Sequence, residues 1–379
     1  MGNFIRPLSE RVSYIASDNL WIEGLAIQQL HTVAEMPGMT RAVGMPDLHP
    51  GRGYPVGAAF FSVGRFYPAL VGNDIGCGMG LWQTSMPQRQ TRLDKLEKRL
   101  SALSDFASSE WLAEHLAPDI QQHPFSYALG SVGGGNHFAE VQAVDRIYDD
   151  SEASRLTLDA STLLLLVHSG SRGLGQDILR AHVDRFNHSG LEEGSDEALR
   201  YLEAHQQALE FARLNRRLIS LRLLEQIKGE GRLLTDVDHN LVESCRLGKQ
   251  DGWLHRKGAT PSHRGPVVIP GSRGDYSYLV RPIVSEQSLY SLAHGAGRKW
   301  MRSECKGRLS ARFTPEQLGR TEMGSRVICQ DRQLIYEEAP QAYKPIDSVI
   351  DTLAGAGLIA PIARLKPVLT YKTGGGKSK

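Results

Sequence analysis

Apolar residues recur at helical spacing over residues 20–35 (LWIEGLAIQQLHTVAE), predicting a helix that PGM stops. The same spacing predicts helix over 91–118, ended by Pro118, and over 176–228, where an acidic, glycine-containing loop (HSGLEEGSDE) interrupts it. Continuous or alternating apolar runs predict strands at YPALVG and GLWQTSM, FAEVQAV, STLLLLV, PVVIPGS, YSYLVRP and RVICQD. DSVIDTLAGAGL predicts a further helix ahead of ARLKPVLTYK. With no repeat and no linker, the expectation is an α+β fold: one domain over 1–379, twisted sheets flanked by helices around a central cleft, with 373–379 a disordered tail.

Several of these runs meet turns of small residues that carry chemistry. GNDIGCG, GGGNHF, VHSGSRG, DVDHN, LHRKGAT and HGAG each set a ligand-type or nucleophilic side chain among such residues: Cys77, His137, His168, His239, His255 and His294. Small neighbours let backbone amides approach an ion or a phosphate. His182, His188 and His205 fall instead in helices and polar loops, as scattered histidines do.

Composition narrows the class. No stretch approaches the roughly 18 apolar residues of a membrane span, and MGNFIRPLSE lacks the pattern of a secretory signal, so a cytoplasmic location is expected. Four scattered cysteines make neither a disulfide framework nor a CxxC zinc site. The net charge of +2 carries no global sign of nucleic-acid binding, but His255–Arg312 holds eleven Lys or Arg against three acids. Phosphate-bearing partners fit that stretch.

Asp74 and Cys77, three apart in one turn, could reach one ion, and the thiolate could bridge two. His137, His168 and His239 add neutral nitrogen donors, and a mixed oxygen, nitrogen and sulfur set of this size suits two ions better than a closed tetrahedral zinc. His294 differs: Gly295, Ala296 and Gly297 and then Arg298, Lys299 and Arg302 give it open backbone and a cationic setting, suited to attack on a phosphate. A plain packing role for Cys77 and a helix-capping role for His294 are the bland alternatives. The terminal GGGKS imitates a P-loop but lacks the first glycine, where Tyr371 stands. Lys249–Gly252 spells KxDG, the motif of lysine nucleotidyltransferases, in surroundings that read as an exposed charged loop.

MPDLHPGRGYPVG, NDIGCGMG, GGGNHFAEV, VHSGSRGLG, HN at 239–240, HRKGAT, PGS at 270–272, HGAGR and RLKPVLTYK together resemble the RtcB family of RNA ligases, in the family's order, from about residue 22 to 372. The resemblance implies a GTP-dependent enzyme with two Mn2+ ions that joins RNA ending in a 3'-phosphate or 2',3'-cyclic phosphate to RNA with a 5'-hydroxyl. It implies that Asp74, Cys77 and His137 hold one manganese and Cys77, His168 and His239 the other, and that His294 takes GMP. It places Asn136, Glu140, Asn240, Pro270, Gly271, Ser272, Arg273, Ser277, Gly295, Ala296, Gly297, Tyr343 and Lys372 around the nucleotide, and Arg172, Lys257 and Arg302 at RNA phosphates. Gly76 stands where many members have Asn, Arg273 where Met is common, and Pro261-Ser262 follows HRKGAT. The compact chain resembles a bacterial branch with a release-factor-like functional partner, which implies RNA repair. The rival readings are a dinuclear phosphoesterase that opens cyclic phosphates without joining ends, and a non-enzymatic RNA-binding module with a structural metal.

Overall fold

The structure, a computed structural model, describes residues 4–374. Two mainly antiparallel sheets form its frame. The first orders its strands Ile5–Pro7, Val12–Ile15, Met39–His49, Val56–Ser62, Gln250–Lys257 and Asn240–Leu247. The second runs Gly231–Asp238, Gly78–Pro87, Thr162–Ser169, Phe138–Ile147, Ile359–Lys372, Ser277–Pro282 and Val267–Pro270, with Arg326–Cys329 pairing in parallel to Ile359–Lys372. Thr162–Ser169 (TLLLLVHS) is central and buried from Leu163 onward, which is why its sequence is continuously apolar rather than alternating. Among the described residues no helix is long and apolar enough to cross a membrane.

The α+β expectation holds, and so do most of the predicted elements. The helix predicted at 20–35 forms over Gly24–Ala34, and 176–228 resolves into Gly173–Phe186 and Asp196–Ile227 around the acidic loop. Ser195 caps the long helix by accepting from the Ala198 amide, and Lys228, left-handed at φ 60°, ends it.

Three expectations need correction. The helix over 91–118 is instead Leu93–Leu100 and Ser109–His115, followed by a single turn at Pro118–Gln121. The intervening carbonyls of Ser104, Asp105 and Phe106 accept from the Arg222 guanidinium of the long helix, so they are unavailable to a continuing helix. YPALVG is not a strand: Pro68, with no amide to give a ladder, opens a 3-10 turn over Pro68–Leu70. Of the supposed disordered tail, Thr373 is buried and donates to the Gly133 carbonyl, while 375–379 lie outside the described residues.

Beneath the second sheet lies Arg216 of the long helix, with a fully buried side chain. Its Nε donates to Asp236 (2.6 Å), Nη2 to Asp238 (2.7 Å), and Nη1 to the carbonyls of Gly76 (2.6 Å) and Ser169 (3.0 Å). It therefore ties the turns of Cys77 and His168 to the strand ahead of His239. Arg216→Met strands the Asp236 carboxylate and two carbonyls, while Asp238 keeps Arg213, so a loss of about 3 kcal/mol in denaturant unfolding is expected. A loss below about 1 kcal/mol would show the network to be dispensable.

Candidate active site

Antiparallel pairing brings four chain ends to one edge of the second sheet. Gly231–Asp238 ends beside the start of Gly78–Pro87, Thr162–Ser169 ends next to it, and Phe138–Ile147 starts beyond. The residues flanking those ends are His239, Cys77, His168 and His137. Backbone bonds stitch the loops: the His239 amide donates to Cys77 O (2.7 Å) and the Gly76 amide to Asn240 O (2.9 Å). Gly76 has φ 73°, and a Cβ there would meet the Cβ of Ala212 at 2.7 Å, so the packing of the long helix calls for glycine at this position. At Gly170 an added Cβ would lie 2.1 Å from Asp74 Oδ1, so a side chain there would displace the carboxylate.

Asp74, Cys77 and His137 form one ligand-type cluster, and Cys77, His168 and His239 another, with the thiol common to both. The Cys77 Sγ lies 3.3 Å from His137 Nε2 and 3.1 Å from His168 Nε2, while His168 Nε2 and His239 Nε2 are 3.3 Å apart. His168 Nδ1 faces the Asn136 carbonyl at 3.1 Å, which fixes the proton on Nδ1 and turns the Nε2 lone pair toward sulfur and the neighbouring ring. Burial drives both His168 and His239 well below the ordinary histidine range, keeping them neutral. Burial works against ionising Asp74, yet His137, 2.8 Å from its Oδ2, holds its pKa below the usual carboxylate value. Buried lone pairs converging on one sulfur are favourable only around a cation, so the donor set fits a metal pair.

His294 stands apart from both clusters while touching them, its ring 4.8 Å from that of His239. Its Nδ1 lies 2.6 Å from Asp47 Oδ2, which also accepts from the His294 amide at 3.1 Å. A carboxylate there keeps the proton on Nδ1 and leaves Nε2 a free lone pair. Lys344 holds this pair together: its Nζ donates to the carbonyls of Pro46 and Leu48, on either side of Asp47 (3.0 Å each), and its amide to Gly297 O (3.0 Å). His49 donates from Nδ1 to the Asp47 carbonyl, and lost hydration brings its pKa down to about 4.

His294 and His168 face one cleft. Asn136, Glu140, Pro270, Gly271, Ser272, Arg273, Gly295, Ala296, Gly297, Tyr343 and Lys372 line it, as does Arg302. Burial raises Glu140 to about 7 despite donation from Thr370 and Gln142. Burial likewise lowers Lys372 to about 8 even with Glu338 nearby. Two of the expected nucleotide residues lie off the wall. Asn240 spends its amide on Asp74 O (3.0 Å) and the Gly258 N–H (2.7 Å), and Ser277 sits behind Glu140, accepting from Gln142 (2.9 Å).

Arg172 and Lys257 also lie off the cleft wall, near the metal-type clusters. Arg172 packs against Gly133 and feels the charge of Asp74, while Lys257 reaches Gly72 and is brought to about 8 by lost hydration. His255 does not join the site: inside a strand, it accepts from the Tyr67 amide and faces Phe60 O. Lys249 is exposed in a hairpin turn away from all of this. Sequence reasoning gave Asp47, His49, Glu338 and Lys344 no role. Glu338 accepts from Arg298 (3.1 Å) and Tyr343 (2.5 Å) at the cleft wall. The signal for Asp47 was an acid inside the apolar run AVGMPDL.

The family model described as tRNA-splicing ligase RtcB matches residues 29–110 and 112–373. The chain is 64% identical over 377 residues, the whole of both chains, to RNA-splicing ligase RtcB2 from Escherichia coli. It is 31% identical to RNA-splicing ligase RtcB from Mycobacterium tuberculosis, over 90% of this chain and 99% of that one. Against tRNA-splicing ligase RtcB from Methanococcus maripaludis it is 29% identical, over 94% and 93%. With nearly every motif of the site inside the matched residues, the chain belongs to the RtcB family.

Proposed function

We propose that this chain is a GTP-dependent RNA ligase that joins 3'-phosphate or 2',3'-cyclic phosphate ends to 5'-hydroxyl ends through GMP carried on His294. The observation that carries the reading is the Asp47–His294 pair, which sets an imidazole oriented by a buried carboxylate on the wall of a cleft beside a shared-thiol ligand set.

Nε2 of His294 forms a bond to the α-phosphorus of GTP as the bond to pyrophosphate breaks and pyrophosphate leaves. The Nδ1 proton stays in place, and Asp47 offsets the positive charge that develops on the ring. The RNA 3'-phosphate, which a cyclic end supplies once water has added to phosphorus and broken the P–O2' bond, then takes GMP, breaking the P–N bond and regenerating the imidazole. The 5'-hydroxyl attacks the activated phosphate and GMP departs. Asp74, Cys77 and His137 would hold one Mn2+ and Cys77, His168 and His239 the other. Bound there, the ions would neutralise phosphate charge and align the attack. Arg302, 41% exposed at the cleft mouth, and Arg172 and Lys257 near the clusters would receive RNA phosphates.

Incubation with α-labelled GTP and Mn2+ tests this. Label that stays with the protein through denaturation and maps to His294, followed by joined RNA ends, is expected. Opening of cyclic phosphates with no labelled protein would favour the dinuclear phosphoesterase. A second measurement follows from ion preference. Zn2+ and Cu2+ bind nitrogen and sulfur donors more tightly than Mn2+ does, so either should inhibit labelling at low excess. Full labelling with saturating Zn2+ and no Mn2+ would contradict the assignment.

A further inference from the structure

Exposed aromatic rings are few: among the described residues they are Trp21, Tyr127 and Tyr148. A lone exposed ring is ordinary, and Tyr127 is set apart by its surroundings. It lies in the 3-10 turn Ser126–Ala128, which leads through LGSVGGG to Asn136 and His137. Its ring, 48% exposed, rests 6.5 Å from that of half-buried Phe106. Gly173, at the head of the helix Gly173–Phe186, leaves room for this aromatic group. A Cβ there would meet the Phe125 ring at 3.0 Å and come within 4.0 Å of the Tyr127 hydroxyl.

The residue before that glycine is Arg172. It has φ 56° and ψ −137°, a backbone conformation that a residue with a side chain keeps only where its surroundings hold it, and one found most often at functional sites. Its Nε donates to Ser131 Oγ at 3.3 Å, and a Cβ on Gly133 would lie 1.8 Å from its Nη1, so the guanidinium rests on the glycine turn ahead of His137. Arg172 is half-buried, and its Nη1 and Nη2 have no hydrogen-bond partner among the described residues. Asp74, Asp105 and Tyr127 all lie within reach of its charge.

A cation for a phosphate beside an open ring for a base is how proteins hold single-stranded nucleic acid with little regard to sequence. We propose that Tyr127 is a stacking platform for one base of the RNA end whose phosphate Arg172 receives, so that this strand enters the site over the turn Ser126–Ala128. The occupant is a single-stranded end, since a base inside a duplex has no free face to offer. The inference rests on the RNA-ligase reading above and adds to it a base contact by a residue outside the metal-type clusters and the cleft wall.

Fluorescence-anisotropy titration with short single-stranded RNA, ending in either a 5'-hydroxyl or a 3'-phosphate, tests this and tells the two strands apart. Each strand is used intact and with one abasic residue at successive positions from the end. With the unaltered protein, an abasic residue at one position of one strand weakens binding by about five- to hundredfold, the range of one base stacked on an aromatic ring. Tyr127→Ala weakens the intact strand by that factor and no longer distinguishes it from the abasic one, whereas Tyr127→Phe, which keeps the ring, restores both the affinity and the distinction. Salt dependence is unchanged in Tyr127→Ala and shallower by about one ion in Arg172→Gln, because only the arginine meets a phosphate. The inference is overturned if Tyr127→Ala binds both intact strands within about twofold of the unaltered protein, or if it weakens intact and abasic strands by the same factor, as a purely structural role would. Should Tyr127→Ala lose its cooperative thermal transition, Tyr127→Leu, which keeps apolar bulk without an aromatic face, is read the same way. Tyr127-dependent binding of RNA by a protein that takes no label from GTP would leave the stacking contact standing and sink the ligase reading.

Discussion

His294→Ala takes up no label from α-labelled GTP, because the imidazole that Asp47 orients on the cleft wall is gone. Asp47→Asn is the sharper measurement. The asparagine amide can present an N–H to His294 Nδ1, which would push the proton to Nε2 and remove the attacking lone pair. Labelling should slow by about 10²–10⁴-fold, the range associated with a misplaced catalytic proton, with GTP binding little changed. Lys344→Met should slow it in the same direction and by less, since it frees the Pro46 and Leu48 carbonyls while the Asp47–His294 bond remains available. Quenched-flow labelling with saturating GTP measures all three. Asp47→Asn labelled at the unaltered rate would refute the orienting role, and label on Lys249 in His294→Ala would refute the nucleophile.

Most residues of the two clusters were legible because small residues at strand ends are a local signal. STLLLLVHSG states a buried strand and its functional end within ten residues, and the structure keeps His168 at that end. What stayed hidden is non-local. Asp47 sits in the strand Met39–His49, and its importance follows from a residue 247 positions away. Lys344 reads as one lysine before a helix, while its Nζ reaches across 298 and 296 positions to the carbonyls of Pro46 and Leu48. The break in 91–118 has the same origin, since the carbonyls that would extend the helix are taken by Arg222 more than 110 positions later. His255 shows the converse error. Its HRKGAT surroundings resemble a site turn, but a residue facing the Tyr67 amide and Phe60 O has both ring nitrogens engaged.

Cys77→Ser should cost both metal ions together, whereas Asp74→Asn should weaken one. The prediction rests on the sulfur's place: Sγ is within 3.3 Å of His137 Nε2 and within 3.1 Å of His168 Nε2, and belongs to both ligand clusters. Burial and the adjacent Asp74 push the Cys77 thiol well above its ordinary pKa, so a cation must bind as the proton leaves. A serine hydroxyl has a far higher intrinsic pKa and a harder oxygen, so it cannot yield a bridging anion under the same conditions. Loss of an outer-shell partner costs about 10–100-fold in metal affinity, and loss of a shared inner ligand should exceed that at each site. Metal analysis after equilibrium dialysis against Mn2+ should therefore give two ions for the unaltered protein, about one for Asp74→Asn and close to none for Cys77→Ser. Labelling by GTP should fall in the same order. Two ions retained by Cys77→Ser would mean that the three imidazoles and the carboxylate suffice, and that the sulfur only fills space between them.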